Sequence, residues 1–101
     1  MAVDIKLNSE KSELNIKVSG RFDFSVHQDF RKASELDAAA VQTIVIDLQT
    51  TDYIDSSALG MLLIMRDKVC NDKRSIRIIN AKPAVKKILQ IANFDKLFTV
   101  I

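Results

Sequence analysis

A chain of 101 residues, 48% of them apolar, is large enough for one domain with a single hydrophobic core and short for two. Fifteen Lys and Arg against thirteen Asp and Glu leave a net charge of +2 scattered along the whole length, which excludes nucleic-acid binding driven by a concentrated basic face. Cys70 is the only cysteine, so an internal disulfide is excluded, and its apolar periodic setting marks it as a core thiol.

The N-terminal MAVDIKLNSE has no basic segment leading into an apolar one, so it does not read as a secretory signal, and a cytoplasmic chain is expected. The longest apolar run, Met61 to Met65, is far below the ~18 residues that a membrane span needs, so direct membrane insertion is not expected.

Val3, Ile5 and Leu7 alternate with polar residues, as do Leu14, Ile16 and Val18, which predicts two strands with one covered face each, joined as a hairpin by NSEKSE. Gly20 ends the second strand, and GRFDFS reads as a polar-aromatic loop into a helix from Ser25 to about Ala40. That helix carries Val26, Phe30, Ala33 and Leu36 on one stripe, with Ser25 or Asp23 available as cap. TIVIDL, residues 43 to 48, is nearly all apolar and β-branched, and predicts a central strand covered on both faces by helices.

A second helix is predicted from Ser56 to about Asn71, then a turn at NDKR and a strand over Ser75 to Asn80. Pro83 suits the first turn of a third helix, whose stripe is Val85, Ile88, Leu89 and Ala92, and FDKLFTVI reads as a short turn and a last strand. This order predicts an α/β fold with a mixed four- to five-stranded sheet packed with about three to four helices. Right-handed crossovers place TIVIDL and SIRIIN parallel, on either side of the second helix.

DYIDSSALG, residues 52 to 60, then falls between the carboxyl end of a central strand and a helix N-terminus, where open α/β sheets carry their sites. Asp55, Ser56 and Ser57 can each accept from a free N–H of the first turn, so capping alone explains them. Consecutive residues point about 100° apart, so one serine can cap while the other faces solvent. A phosphate on the outward serine would meet backbone N–H groups and the positive helix end, and would add about −1.5 to −2 charge beside Asp52 and Asp55. Further along the helix, Ala58, Leu59, Leu62, Leu63, Val69 and Cys70 share one broad face expected in the core. Met61, Ile64 and Met65 lie toward its far side, as a partner surface if the helix borders the sheet or as core if another helix covers them.

VIDLQTTDYIDSSALGMLL resembles the signature of STAS domains, specifically the bacterial anti-sigma factor antagonists. The resemblance extends to GRFDF, similar to the family's G-x-L-D-x loop, and to AKPAVKKILQIANFDKLFTV, similar to its x-P-x-V-x-x-x-L helix and the segment after it. Essentially the whole chain is covered. Ala58, where most members have glycine, and Phe22, where an aliphatic residue is usual, depart from the pattern without removing a hydroxyl.

The resemblance implies a STAS fold and partner switching. A GHKL-type serine kinase, itself the anti-sigma factor, binds the unphosphorylated protein, releases its client and phosphorylates the serine after the aspartate, here Ser56. A PP2C-type phosphatase reverses the mark. Ser57 takes a capping or orienting place. Asp55 either orients the serine or satisfies backbone donors, and Asp23 either joins the same surface or only caps the first helix. The free protein is expected to be a monomer without cofactor or metal, although Met61 to Met65 would equally support a weak dimer.

An enzyme built on Ser56, His27 and an aspartate is disfavoured. There is one histidine, no G-x-S-x-G elbow, no zinc-ligand cluster and no Gly-rich phosphate loop, and His27 reads as a solvated helix residue. Two alternatives remain open: a STAS protein governing a non-sigma output such as biofilm or stress signalling, and an accessory subunit docked on a transporter ATPase.

Overall fold

The structure, a computed structural model, describes residues 3–8, 12–34, 41–71 and 75–101, with the side chains of residues 33–34 and 69–71 left aside. In chain order the elements are β1 (Val3–Asn8), β2 (Glu13–Val18), β3 (Gly20–Phe22), α1 (His27–Ser34), β4 (Thr43–Asp47), β5 (Thr51–Ile54), α2 (Ser56–Asn71), β6 (Ser75–Ile79), α3 (Pro83–Ile91) and β7 (Thr99–Val100). Single 3-10 turns at Phe24–Val26 and Phe94–Lys96 precede α1 and β7.

The large sheet has the order β1-β2-β4-β6-β7, with β1 antiparallel to β2 and the remaining neighbours parallel. Register follows from the apolar alternation: Leu14, Ile44 and Ile76 form one row, and Ile16, Ile46 and Ile78 the next. All six are buried, each by roughly 1.5–3 kcal/mol of transfer free energy. Phe30 of α1, Ala58, Met61, Leu62 and Met65 of α2, and Val85 and Leu89 of α3 join them in one core. The three helices therefore pack on the same face of the sheet.

β4 is central and buried as expected, but no helix among the described residues covers its second face. Val45 is buried outside the main core, between Asn15 of β2 and Arg77 of β6. The Arg77 Nη2 crosses β4 to reach Glu13 Oε2 at 3.0 Å, and its aliphatic stem supplies cover that the sequence pattern had suggested would come from a helix.

Helix α2 also differs in phase from the expectation. Ala58, Met61, Leu62 and Met65, at the i, i+3, i+4, i+7 spacing, face the core with Leu59 partly buried beside them, while Leu63 and Ile64 are exposed. Met61 (8% exposed) and Met65 (1%) are thus core, and of the three surplus residues only Ile64 (71%) stands out. With residues 61–65 all apolar, periodicity left the phase undetermined. The expectations for Cys70, Val69 and Ala33 as core side chains, and for the first helix from Glu35 to Ala40, lie outside the described residues.

Two further segments read as loops are strands. β3 and β5 pair in parallel as a separate two-stranded sheet, Arg21 facing Tyr53 and Phe22 facing Ile54. β3 continues β2 after a break at Ser19–Gly20, and β5 continues β4 after the turn at Leu48–Thr50, so both parallel strands leave the large sheet together. Gly20 takes φ +75° at that break and donates to the Thr50 carbonyl at 2.9 Å. The Thr51 hydroxyl, buried, donates to the Val18 carbonyl at 2.6 Å.

Space is free around the Gly20 Cα, so Gly20→Ala should cost only its left-handed backbone, about 1–2 kcal/mol in urea unfolding. Leu62→Ala should cost about 2–5 kcal/mol, and Ile64→Ala less than about 0.5 kcal/mol. Equal losses for the last two would contradict the phase assigned to α2.

Candidate functional site

Because β3 and β5 run parallel, their carboxyl ends emerge side by side, and each is followed by the same three-residue pattern, Asp-Xaa-Ser. The Asp55 N–H donates to the Phe22 carbonyl at 3.4 Å, which ties the start of one turn to the end of the other strand.

In the first turn, Asp23 is the N-cap of the 3-10 turn, and its Oδ1 accepts from the Ser25 N–H at 2.9 Å and the Ser25 hydroxyl at 2.5 Å. Arg21 Nε donates to the other oxygen at 3.3 Å while its guanidinium lies 4.4 Å from the centre of the Tyr53 ring. The helix expected from Ser25 begins at His27, because Asp23 closes a tighter turn first. His27 is half-buried and stacked on the exposed Phe24 ring at 5.0 Å, not simply solvated.

In the second turn, Asp55 Oδ1 accepts from the Ser57 hydroxyl at 2.7 Å and from the Ala58 N–H at 3.0 Å, while the Asp55 carbonyl receives Leu59 N–H at 3.1 Å. Asp55 is therefore the cap of α2, and Ser57 is held by it. Ser56, the first helical residue, is exposed, and its hydroxyl has no hydrogen-bond partner among the described residues. One turn on, Gly60 places no side chain beside it.

Both carboxylates sit below their ordinary range. For Asp55 the Ser57 hydroxyl is the main cause, then the Ala58 N–H, partly opposed by burial and by the charge of Asp23. For Asp23 the Ser25 hydroxyl and N–H lead, with Arg21 adding a smaller attraction. The charge of Asp23 is felt at Asp55, in keeping with the Asp55 N–H bond to Phe22 that joins the two turns. The exposed hydroxyl of Ser56 thus stands at the positive end of a helix and beside two anions. Asp52, on β5, is ion-paired with Lys82 at the entry to α3.

The structure brings Asp23, Asp55, Ser56 and Ser57 to one rim, whereas Met61 lies in the core and Ile64 sits two turns along the outer side of α2. Phe24 and the Arg21–Tyr53 pair belong to the same rim and were not singled out from the sequence, and Ser25, expected there only as a possible helix cap, is instead held by Asp23. The repeated D-x-S in DFS and DSS was the available signal. Among the described residues, no group of three or more His, Cys, Asp or Glu could hold a metal ion, and no helix is long and apolar enough to cross a membrane.

Folded-state values of both acids lie below the ordinary 3.8, so their contribution to stability is present above that value and lost as pH falls through the folded values. Asp55→Ala should lower Tm at about pH 6, and the gap to the parent should narrow by about pH 2.5. A gap of constant size would mean that Asp55 acts through packing and not through charge.

The same fold is found in known proteins. A STAS-domain containing protein of Pseudomonas aeruginosa is 45% identical over 100 residues, covering 99% of each chain. The anti-sigma factor antagonist SpoIIAA superposes in its unphosphorylated form with a TM-score of 0.82 at 22% identity, over 99% of this chain and 88% of that one. Its phosphorylated form gives 0.71 at 17%, over 99% and 91%. A sulfate transporter family protein from Wolinella succinogenes gives 0.78 at 12%, over 88% and 75%. A family model described as "Mlab, STAS domain" matches residues 5–100, and with that match over nearly its whole length the chain belongs to the STAS domain family.

Proposed function

We propose that this protein is a non-enzymatic partner-switching regulator whose binding state is set by phosphorylation of Ser56. The observation that carries the reading is the division between the two serines. Ser57 donates to Asp55, whereas the Ser56 hydroxyl is exposed and has no partner among the described residues. A kinase can reach Ser56 without dismantling the cap of α2.

The unphosphorylated protein binds a cognate GHKL-type serine kinase acting as an anti-sigma factor, which frees that kinase's client. Phosphorylation at Ser56 ends the complex, and a PP2C-type phosphatase restores it. The physical basis is charge. Phosphate adds about −1.5 to −2 next to Asp23 and Asp55, on a rim that a partner must match in sign and shape. The helix N-terminus stabilises the new anion, so the domain itself stays folded. SpoIIAA, which shares this fold, has been solved in both phosphorylation states.

A second reading, an accessory subunit docked on a transporter ATPase, draws on the sulfate transporter family neighbour, which shares this fold. Under that reading Ser56 would carry no phosphate in the cell, whatever the complement of kinases.

Phosphosite mapping by mass spectrometry from the native cell, with and without each neighbouring kinase gene, separates the two. Phosphate is expected on Ser56, lost when one kinase is deleted. In binding to that kinase, Ser56→Ala should match the parent, while Ser56→Asp should bind at least about tenfold more weakly. Phosphate found on Ser57 alone, or equal binding by the two variants, would overturn the proposal.

A further inference from the structure

The chain has two glycines, and the fold accounts for one of them. Gly20 takes φ +75° at the break between β2 and β3, whereas Gly60 lies inside α2, on the turn after Ser56, without a left-handed backbone. Packing does not demand a glycine there either. A Cβ built on Gly60 would meet no atom within 4 Å among the described residues. Glycine inside a helix lowers the folded-to-unfolded ratio about fivefold relative to alanine, because the unfolded chain has more freedom to lose. Alanine would fit and would stabilise the domain, so the fold gives no reason for the residue it carries.

The place of Gly60 supplies one. Residues four apart on a helix lie one above the other, so Gly60 follows Ser56 on the outer stripe that continues to Ile64. Ala58, Met61, Leu62 and Met65 face the core, while Ser56 and Ile64 are exposed and the half-buried Gly60 is a step between them. Bare helix backbone at that step lets a second chain come into main-chain contact with α2, which a side chain at residue 60 would hold off. Asp55, at the start of the same helix, and Asp23 beside it ask for a cationic surface on whatever approaches.

We infer that Gly60 is the point of closest approach for the protein that reads Ser56: a main-chain segment of the cognate serine kinase crosses α2 over Gly60, with its cationic side toward Asp23 and Asp55. The inference rests on the Ser56 switch proposed above and adds to it a contact that depends on the absence of a side chain. Gly60 is a positioning residue, since it sets how near the kinase comes to the Ser56 hydroxyl and touches no phosphate itself.

The test uses the full chain and the kinase whose deletion removes the Ser56 phosphate. Gly60→Ala is expected to raise the folded-to-unfolded ratio about threefold to fivefold in urea unfolding, and to weaken kinase binding and slow Ser56 labelling from ATP at least about tenfold. A stabilised chain that binds less well is an outcome that a merely structural glycine does not give. Gly60→Val separates occupied space from helix stiffness, because valine is bulkier than alanine but favours the helix less. It should bind no better than Gly60→Ala; a valine variant intermediate between the parent and alanine would assign the effect to stiffness and overturn the inference. Gly60→Ala less stable than the parent would mean that the fold itself needs the glycine, and parent-like binding and labelling would mean that nothing approaches it. Either result overturns the inference and leaves the Ser56 switch standing, whereas a parent chain without phosphate on Ser56 in the native cell would overturn both.

Discussion

The parallel pairing of β3 with β5 is the constraint on which the site depends. Register between β2 and β4 ends at Lys17 and Asp47, and beyond it the two chains leave the large sheet. Val18 then has a buried carbonyl to satisfy, and the Thr51 hydroxyl reaches it from the other strand. An unmet buried carbonyl costs about 1–3 kcal/mol, so this one side chain has leverage over the geometry of both strands. Gly20 supplies the left-handed backbone that the break requires. Once the strands are re-paired, their ends coincide, and two Asp-Xaa-Ser turns face each other as a consequence of topology.

That repetition explains why the residues of the rim divide their roles. In each turn the aspartate gathers the serine two residues on, and the middle residue is turned outward. The outward residue is Phe24 in one turn and Ser56 in the other, an aromatic ring (67% exposed) beside a hydroxyl. The carboxylates hold their turns as acceptors, which depresses their pKa values and keeps them charged at neutral pH. The same anions make the rim sensitive to a further negative charge. Structural capping and a charge-sensitive surface are thus two results of one arrangement.

The sequence was legible where a period met a long enough run. Ile16, Ile44 and Ile78 declare strands with a covered face, and Val85 and Leu89 a helix begun at Pro83. The three-residue β3 and four-residue β5 are too short to display a period, and the exposed Asp52 and Tyr53 sit consecutively in β5, which hides its strand character. They are strands because they have each other, which is tertiary information. Val45 shows the opposite case. Its apolarity marks burial correctly, but the cover is the stem of Arg77, drawn over it by Glu13 from two strands away. A charged residue alternating in β6 gives no sign that it will serve as a lid.

Helix α2 joins these levels, since its three aspects answer to different constraints. Its N-terminus is capped by Asp55 and presents Ser56; its inner side, through Ala58, Leu62 and Met65, is inseparable from the core; its outer side carries Ile64 and Lys68. The apolar run of residues 61–65 looks redundant when judged as core alone, because a single helix face cannot bury five consecutive apolar residues. Placing Leu63 and Ile64 in water has a cost in solubility and none in folding. Stability constrains the inner stripe and leaves the outer one free. The outer residues Leu63 and Ile64, on the helix that begins at Ser56, are therefore not required by the core.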